Sequence, residues 1–162
     1  MEVVPIDRLE LLGEMEERYK QKDKEYFVQL LDHNDFVIRC RAVCILVDMG
    51  GEDVVPQVAK VLKNDPNELV RHEAAFSLGQ MCLRSGIGPL EDATRNDPSL
   101  FVRHEAAVAL GVIGSQDAKE TLQKALRDSS EQVRDSAVVA LSNLKFMEKL
   151  SKNEKFARLT GG

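Results

Sequence analysis

The stretch LVRHEAAFSLGQM (residues 69–81) returns 32 residues later as FVRHEAAVALGVIG (101–114). Two outer copies flank this pair: FVIRCRAVCILVDMGG (36–51) and QVRDSAVVALSNL (132–144). Their arginines fall at Arg39, Arg71, Arg103 and Arg134, spaced by 32, 32 and 31 residues. A near-constant period of this length marks a chain built from stacked copies of one supersecondary unit. Within each copy the apolar residues recur at helical spacing, as in Ala74, Leu78 and Met81 or Ala106, Leu110 and Ile113. Asp, Asn and Ser precede each copy, at Asn34-Asp35, Asp65-Pro66-Asn67, Asp97-Pro98-Ser99 and Asp128-Ser129-Ser130. These side chains accept bonds from the free N–H groups of a first helical turn. Glycines at Gly50-Gly51, Gly86 and Gly114 mark where the helices are expected to stop.

Each unit therefore reads as two helices, the first shorter and lying about 23–31, 53–63, 88–95 and 117–127. A further helix is expected over 6–20, and 146–159 is expected to form a terminal helix or a tail. No strand-type alternation competes. The fold class is all-α, an α-solenoid of about four helical hairpins with an extra N-terminal helix. It fills residues 1–162 as one domain: N-terminal cap 1–21, repeats about 22–52, 53–85, 86–115 and 116–146, C-terminal tail 147–162.

Composition suits that architecture. Hydrophobic residues make up 43 %, enough for a real core, while aromatics are 5 % and Trp is absent. The core must come from Ala, Leu, Val and Ile, which allow helices to approach closely. The net charge of −5 lacks the basic footprint of a nucleic-acid binder and opposes docking on anionic membranes. No apolar run approaches the length of a membrane span and the N-terminus MEVVPIDRLE has no signal pattern, so a cytoplasmic location is expected. Cys40, Cys44 and Cys82 are odd in number and form no C-x-x-C, so buried free thiols are expected rather than disulfides. The first 35 residues hold ten acidic and five basic side chains, and residues 145–162 hold five basic and two acidic ones, as solvated solenoid ends would.

One column carries chemistry. The residue after each repeat arginine is Cys40, His72, His104 and Asp135, all metal-ligating types, and the next is Arg41, Glu73, Glu105 and Ser136. Equivalent positions on stacked helices lie roughly 8–10 Å apart. Two imidazoles reaching across that gap can share an ion, and a neighbouring glutamate can add a carboxylate. Two His and one carboxylate with open positions is the ligand set of non-haem Fe(II) oxygenases. His72, Glu73, His104 and Glu105 are thus the candidate metal ligands, with iron the candidate cofactor. The alternative is that these glutamates simply stabilise the first turns of their helices. Gly79 and Gly111, seven residues after each His, leave room for a ligand or for close packing. His33, off the column in a turn, reads as a solvated or capping residue.

The pattern D-P…V-R-x-x-A-A-x-A-L-G resembles the HEAT-like repeat of phycobilin lyases, over about residues 22–146. RHEAAFSLGQM followed by VRHEAAVALGVIG is similar to the paired His-Glu repeats of deoxyhypusine hydroxylase. That resemblance implies a HEAT-repeat enzyme in which two halves, each with two His-Glu motifs, together hold a non-haem diiron centre and hydroxylate a modified lysine on a translation factor. The matching positions are His72, Glu73, His104 and Glu105. This chain carries two such motifs where the family has four, so it resembles one half, and a diiron site would need a homodimer or another partner. A metal-free scaffold holding a protein partner on a concave face of second helices, and chromophore handling of the phycobilin-lyase kind, are the competing readings.

Overall fold

The computed structural model describes residues 6–149, and every regular element among them is helical. Nine α-helices follow in order: α1 (Ile6–Lys20), α2 (Lys24–Leu30), α3 (Phe36–Met49), α4 (Val55–Asn64), α5 (Glu68–Met81), α6 (Ile87–Asn96), α7 (Leu100–Ile113), α8 (Lys119–Ala125) and α9 (Glu131–Lys149). Short 3₁₀ turns, Arg84–Gly86 and Gln116–Ala118, lead into α6 and α8. The longer helices α3, α5, α7 and α9 stack on one another as one layer, and the shorter α4, α6 and α8 stack as the other. The core lies between the layers and is made of aliphatic side chains, with Ile38, Leu46, Leu78, Leu90, Leu110, Leu122 and Leu144 at most 1 % exposed.

The N-terminal helix falls where the sequence places it. The stretch 146–159, expected to form a terminal helix or a tail, begins inside α9, which is described as far as Lys149; the rest of it lies outside the described residues. Helix ends depart from expectation at one point. α5 stops at Met81, and the left-handed residue that ends it is Cys82 (φ 53°), not Gly86. Gly86 instead lies in the 3₁₀ turn before α6. α7 ends as expected on a left-handed Gly114 (φ 70°), a conformation glycine adopts without strain.

Each turn between the two layers uses one aspartate twice. Asp65, Asp97 and Asp128 accept the backbone N–H two residues on, from Asn67 (2.8 Å), Ser99 (2.9 Å) and Ser130 (2.8 Å). The same carboxylates receive a two-pronged bond from the arginine of the preceding repeat: Arg39 on Asp65 (2.7 and 3.0 Å), Arg71 on Asp97 (2.8 and 3.0 Å), Arg103 on Asp128 (2.9 and 3.0 Å). The remaining guanidinium nitrogen of each donates to backbone carbonyls of its own turn, those of His33, Asp65 and Asp97. His33 occupies the ladder position 32 residues before Asp65, and its Nδ1 accepts the Asp35 N–H at 3.0 Å. It is a turn-closing residue, with Nε2 carrying the proton. At the N-terminal end Arg8 closes the ladder on Asp35 at 2.6 Å.

Helix spacing in the long layer depends on Gly79. A Cβ built there would stand 2.7 Å from the Ala109 Cβ and 3.0 Å from its Cα. Both are rigidly attached to α7, so α5 and α7 would have to move apart. We expect Gly79→Ala to lower stability by about 1–2 kcal/mol, overpacking outweighing the gain in helix propensity. Denaturant unfolding checks this; an Ala variant as stable as wild type would mean that the two helices are free to separate. Of the two uses expected for this glycine, close packing is the one observed.

Candidate metal-binding ridge

His72 and His104 are each the fifth residue of their helix, α5 and α7. The Asn67 side chain accepts the Leu69 N–H at 2.8 Å and starts α5. Ser99 starts α7 without a side-chain cap bond; its hydroxyl instead contacts Glu68. The arginine next to each His is anchored in the ladder, which fixes the rotation of the helix. His and Glu are thereby turned to the half-exposed side of the long-helix layer.

The columns meet with an offset. Three residues of the second column, Glu73, Glu105 and Ser136, reach back to the first-column side of the preceding helix. Glu105 Oε2 lies 3.4 Å from His72 Nε2. Ser136 Oγ lies 2.6 Å from His104 Nδ1. Glu73 Oε1 accepts the thiol of Cys44 at 2.9 Å, one helical turn beyond Cys40. The sequence expectation of two imidazoles facing each other is replaced by three cross-helix pairs. Cys40, Arg41 and Asp135 belong to none of them. Among the described residues no group of three or more His, Cys, Asp or Glu is gathered tightly enough to hold a metal ion alone.

Ser136 bears on the tautomer of a neutral His104. With its hydroxyl donating to the Gln132 carbonyl at 2.8 Å, a neutral imidazole donates to Ser136 from Nδ1 and keeps its lone pair on Nε2. Ser136 is buried, so water does not compete for this bond. Cys44 and Ser136 are direct neighbours of the candidate residues, a placement that composition alone does not reveal. Ser136 was visible as the fourth member of the Glu column, but its pairing with a His of the previous helix depends on the offset.

The electrostatics follow the pairs. The Glu105 carboxylate, bonded to the imidazole, raises the His72 pKa above its ordinary value, with Glu73 adding to the effect against a lowering by burial. Loss of water around the Cys44 sulfur and the Glu73 carboxylate push that thiol up to about 12, so it remains a neutral donor. All three cysteines are free; Cys44 is exposed and Cys40 and Cys82 are half-buried, which corrects the expectation of buried thiols. A raised imidazole pKa stabilises the fold below the unfolded value of about 6.5 and loses that contribution as pH rises through the folded value. In an NMR titration of the metal-free chain His72 should titrate above an ordinary imidazole, and Glu105→Gln should bring it down. An unchanged midpoint in Glu105→Gln would break the assigned pair.

The ridge is rimmed by apolar side chains left in water: Leu69 (55 % exposed), Phe76 (44 %) and Phe101 (57 %). None of the described helices is long and apolar enough to cross a membrane.

Comparison with known proteins agrees with this architecture. The human deoxyhypusine hydroxylase structure, in complex with glycerol, superposes with a TM-score of 0.72 at 28 % identity, over 85 % of this chain and 48 % of that one. The deoxyhypusine hydroxylase of Dictyostelium discoideum is 43 % identical over 115 residues, 70 % of this chain and 36 % of the relative. That of Neosartorya fischeri is 38 % identical over 114 residues, 64 % of this chain and 33 % of the relative. The chain spans about a third of the length of the curated relatives it matches. A family model described as HEAT repeats matches residues 8–79, 24–111 and 87–155. With that model running through nearly the whole solenoid, the chain belongs to the HEAT-repeat family, and it resembles one half of deoxyhypusine hydroxylase.

Proposed function

We propose that this chain is a half-length, iron-dependent oxidoreductase of the deoxyhypusine hydroxylase type, with His72, Glu73, His104 and Glu105 as its metal ligands. The observation that carries the reading is the ridge itself: two imidazoles and two carboxylates on adjacent helices, within a repeat pattern that resembles the hydroxylases. The donor set suits a non-haem iron. A neutral His104 presents a lone pair on Nε2 because Ser136 holds its other nitrogen. His72 and Glu105 hold a proton between them that a cation can replace. When bound, such an iron supplies the redox centre for inserting oxygen from O2 into a C–H bond.

One chain offers pairs rather than a closed ligand cage. The site is therefore completed across an interface, by a second copy presenting the same four residues. Leu69, Phe76 and Phe101 beside the ligands supply apolar area for that contact. The same exposed side chains favour a second reading, in which the ridge grips another protein without metal. The hydroxylated substrate is proposed by analogy with the relatives, as a modified lysine side chain on a protein, and a cytoplasmic location goes with it.

Elemental analysis of tag-free protein, with melting curves in Fe(II) and Zn(II), separates the two readings. Iron binding the native state at a hundredfold excess over Kd should add about 2.7 kcal/mol of stability. The rise should vanish in His72→Ala and in His104→Ala. Equal melting with and without metal would leave the metal-free scaffold.

A further inference from the structure

We infer that the ridge face pairs with a second copy of itself in reversed stacking order, so that Arg41 of each copy meets Asp135 of the other. The inference rests on the proposal that two copies share the metal ridge, and it fixes their register. The long helices α3, α5, α7 and α9 stack in that order, and their ridge-side residues form a row of stations. At the middle stands the His72–Glu105 pair, between α5 and α7. One helix spacing to either side stand the Cys44–Glu73 pair, between α3 and α5, and the His104–Ser136 pair, between α7 and α9. Arg41 forms one end of the row. It borders the groove between α3 and α1, beside Leu12, Met15, Glu16 and Tyr19. Asp135, on α9, forms the other end. Both are exposed, and neither makes an ion pair among the described residues.

Two such layers facing each other can be related by a two-fold axis in either of two principal directions. An axis along the stack sets each helix against its own copy. Arg41 then confronts Arg41, Glu73 confronts Glu73 and Asp135 confronts Asp135, like charge on like at each of these stations. An axis parallel to the helices, through the His72–Glu105 pair, reverses the order. α3 then lies across from α9, and α5 across from α7. Arg41 meets Asp135 at both ends of the row, and the Glu73 station meets the His104 station, a carboxylate across from an imidazole. The middle station is self-paired under either axis and does not choose between them. Like charges set together across an interface exclude a register, and opposite charges specify one. The charges on this face therefore select the reversed order.

The apolar side chains fit the same order. Leu69 on α5 and Phe101 on α7 stand two residues before the repeat arginine, and both are exposed. Phe76 and Val108 stand one turn beyond the histidines, and Val139 repeats that position on α9. An axis parallel to the helices keeps each position at its own height. Leu69 thus packs against Phe101 of the other copy, and Phe76 against Val108. A face whose two halves complement each other is what a closed two-fold contact requires.

Sedimentation velocity of the full chain in anaerobic Fe(II), with bound iron counted, tests the register. Arg41→Asp and Asp135→Arg should each weaken the iron-loaded dimer by at least tenfold, because each sets like charges together at both ends of the row. Arg41→Asp combined with Asp135→Arg in one chain should restore the dimer, since the pairs are then re-formed with their signs exchanged. Both side chains are exposed and unpaired in the single chain, so in chelator all three variants should melt as the wild type does. A dimer indifferent to both single reversals overturns the inference and leaves the shared ridge standing, with the copies related along the stack. A dimer that both single reversals weaken and their combination fails to restore also overturns it. A chain that stays monomeric in Fe(II) overturns it together with the shared site on which it rests.

Discussion

Asp97→Ala should cost about 3–5 kcal/mol of stability, a loss matched outside the aliphatic core only by the equivalent ladder residues. Arg71 and Asp97 are a two-pronged pair with side chains only 10 % and 6 % exposed. Removing the carboxylate strands a guanidinium away from water, with the Asp65 carbonyl as its remaining partner. It also frees the Ser99 N–H at the start of α7. For a domain of this size the melting temperature should fall by roughly 10 °C. Asp97→Asn, which keeps an oxygen for the turn but not the charge, should fall less. Arg84–Asp117 is the internal comparison, since both side chains are more than half exposed. Asp117→Ala should cost at most about 1 kcal/mol, because water replaces the partner. Equal effects at Asp97 and Asp117 would contradict a ladder that holds the repeats in register. Hydrogen exchange adds a spatial check. In an array stabilised by nearest-neighbour interfaces, Asp97→Ala should loosen the contact between α5 and α7 before the ends.

The ladder also shows which parts of the structure could be read from sequence. The arginine column was legible as a period, and the aspartates were legible as turn residues. Their pairing was not, because it links residues 25 or 26 apart whose closeness depends on how one hairpin leans on the next. The helical class, the N-terminal helix and the start of each long helix were all legible, since periodicity and N-terminal caps are local signals. The end of α5 was misread because a left-handed cysteine, Cys82, does what glycine usually does. At the ridge, residue types and their columns were visible but the offset was not. Stacking directs Glu105 to His72 and Ser136 to His104, so the expected facing imidazoles become cross-helix pairs. His33 was read as a solvated or capping residue, and it proves to be the turn residue that starts the ladder series.

Iron should drive this chain from monomer toward dimer, which is the second large effect expected. A closed two-fold pair is the simplest arrangement that doubles the ligand set, because each copy presents the same patch. Bringing Glu73 and Glu105 of one copy toward those of another concentrates four carboxylates, and their repulsion opposes assembly without a cation. Iron removes that repulsion, so binding and association are linked. Each should strengthen the other by the same factor. Glu73→Gln combined with Glu105→Gln should dimerise less on adding iron, since it lowers both the repulsion and the affinity for the ion. Phe101→Ser, outside the ligand set, should weaken the dimer while leaving the ligands of each copy in place.

Sedimentation velocity under anaerobic conditions, with and without Fe(II), tests the proposed iron site most directly. The expected result is a monomer in chelator and a dimer with bound iron in Fe(II), with His72→Ala remaining a monomer in both. A chain that stays monomeric and iron-free in Fe(II) would contradict the proposal that two copies of this ridge hold iron between them.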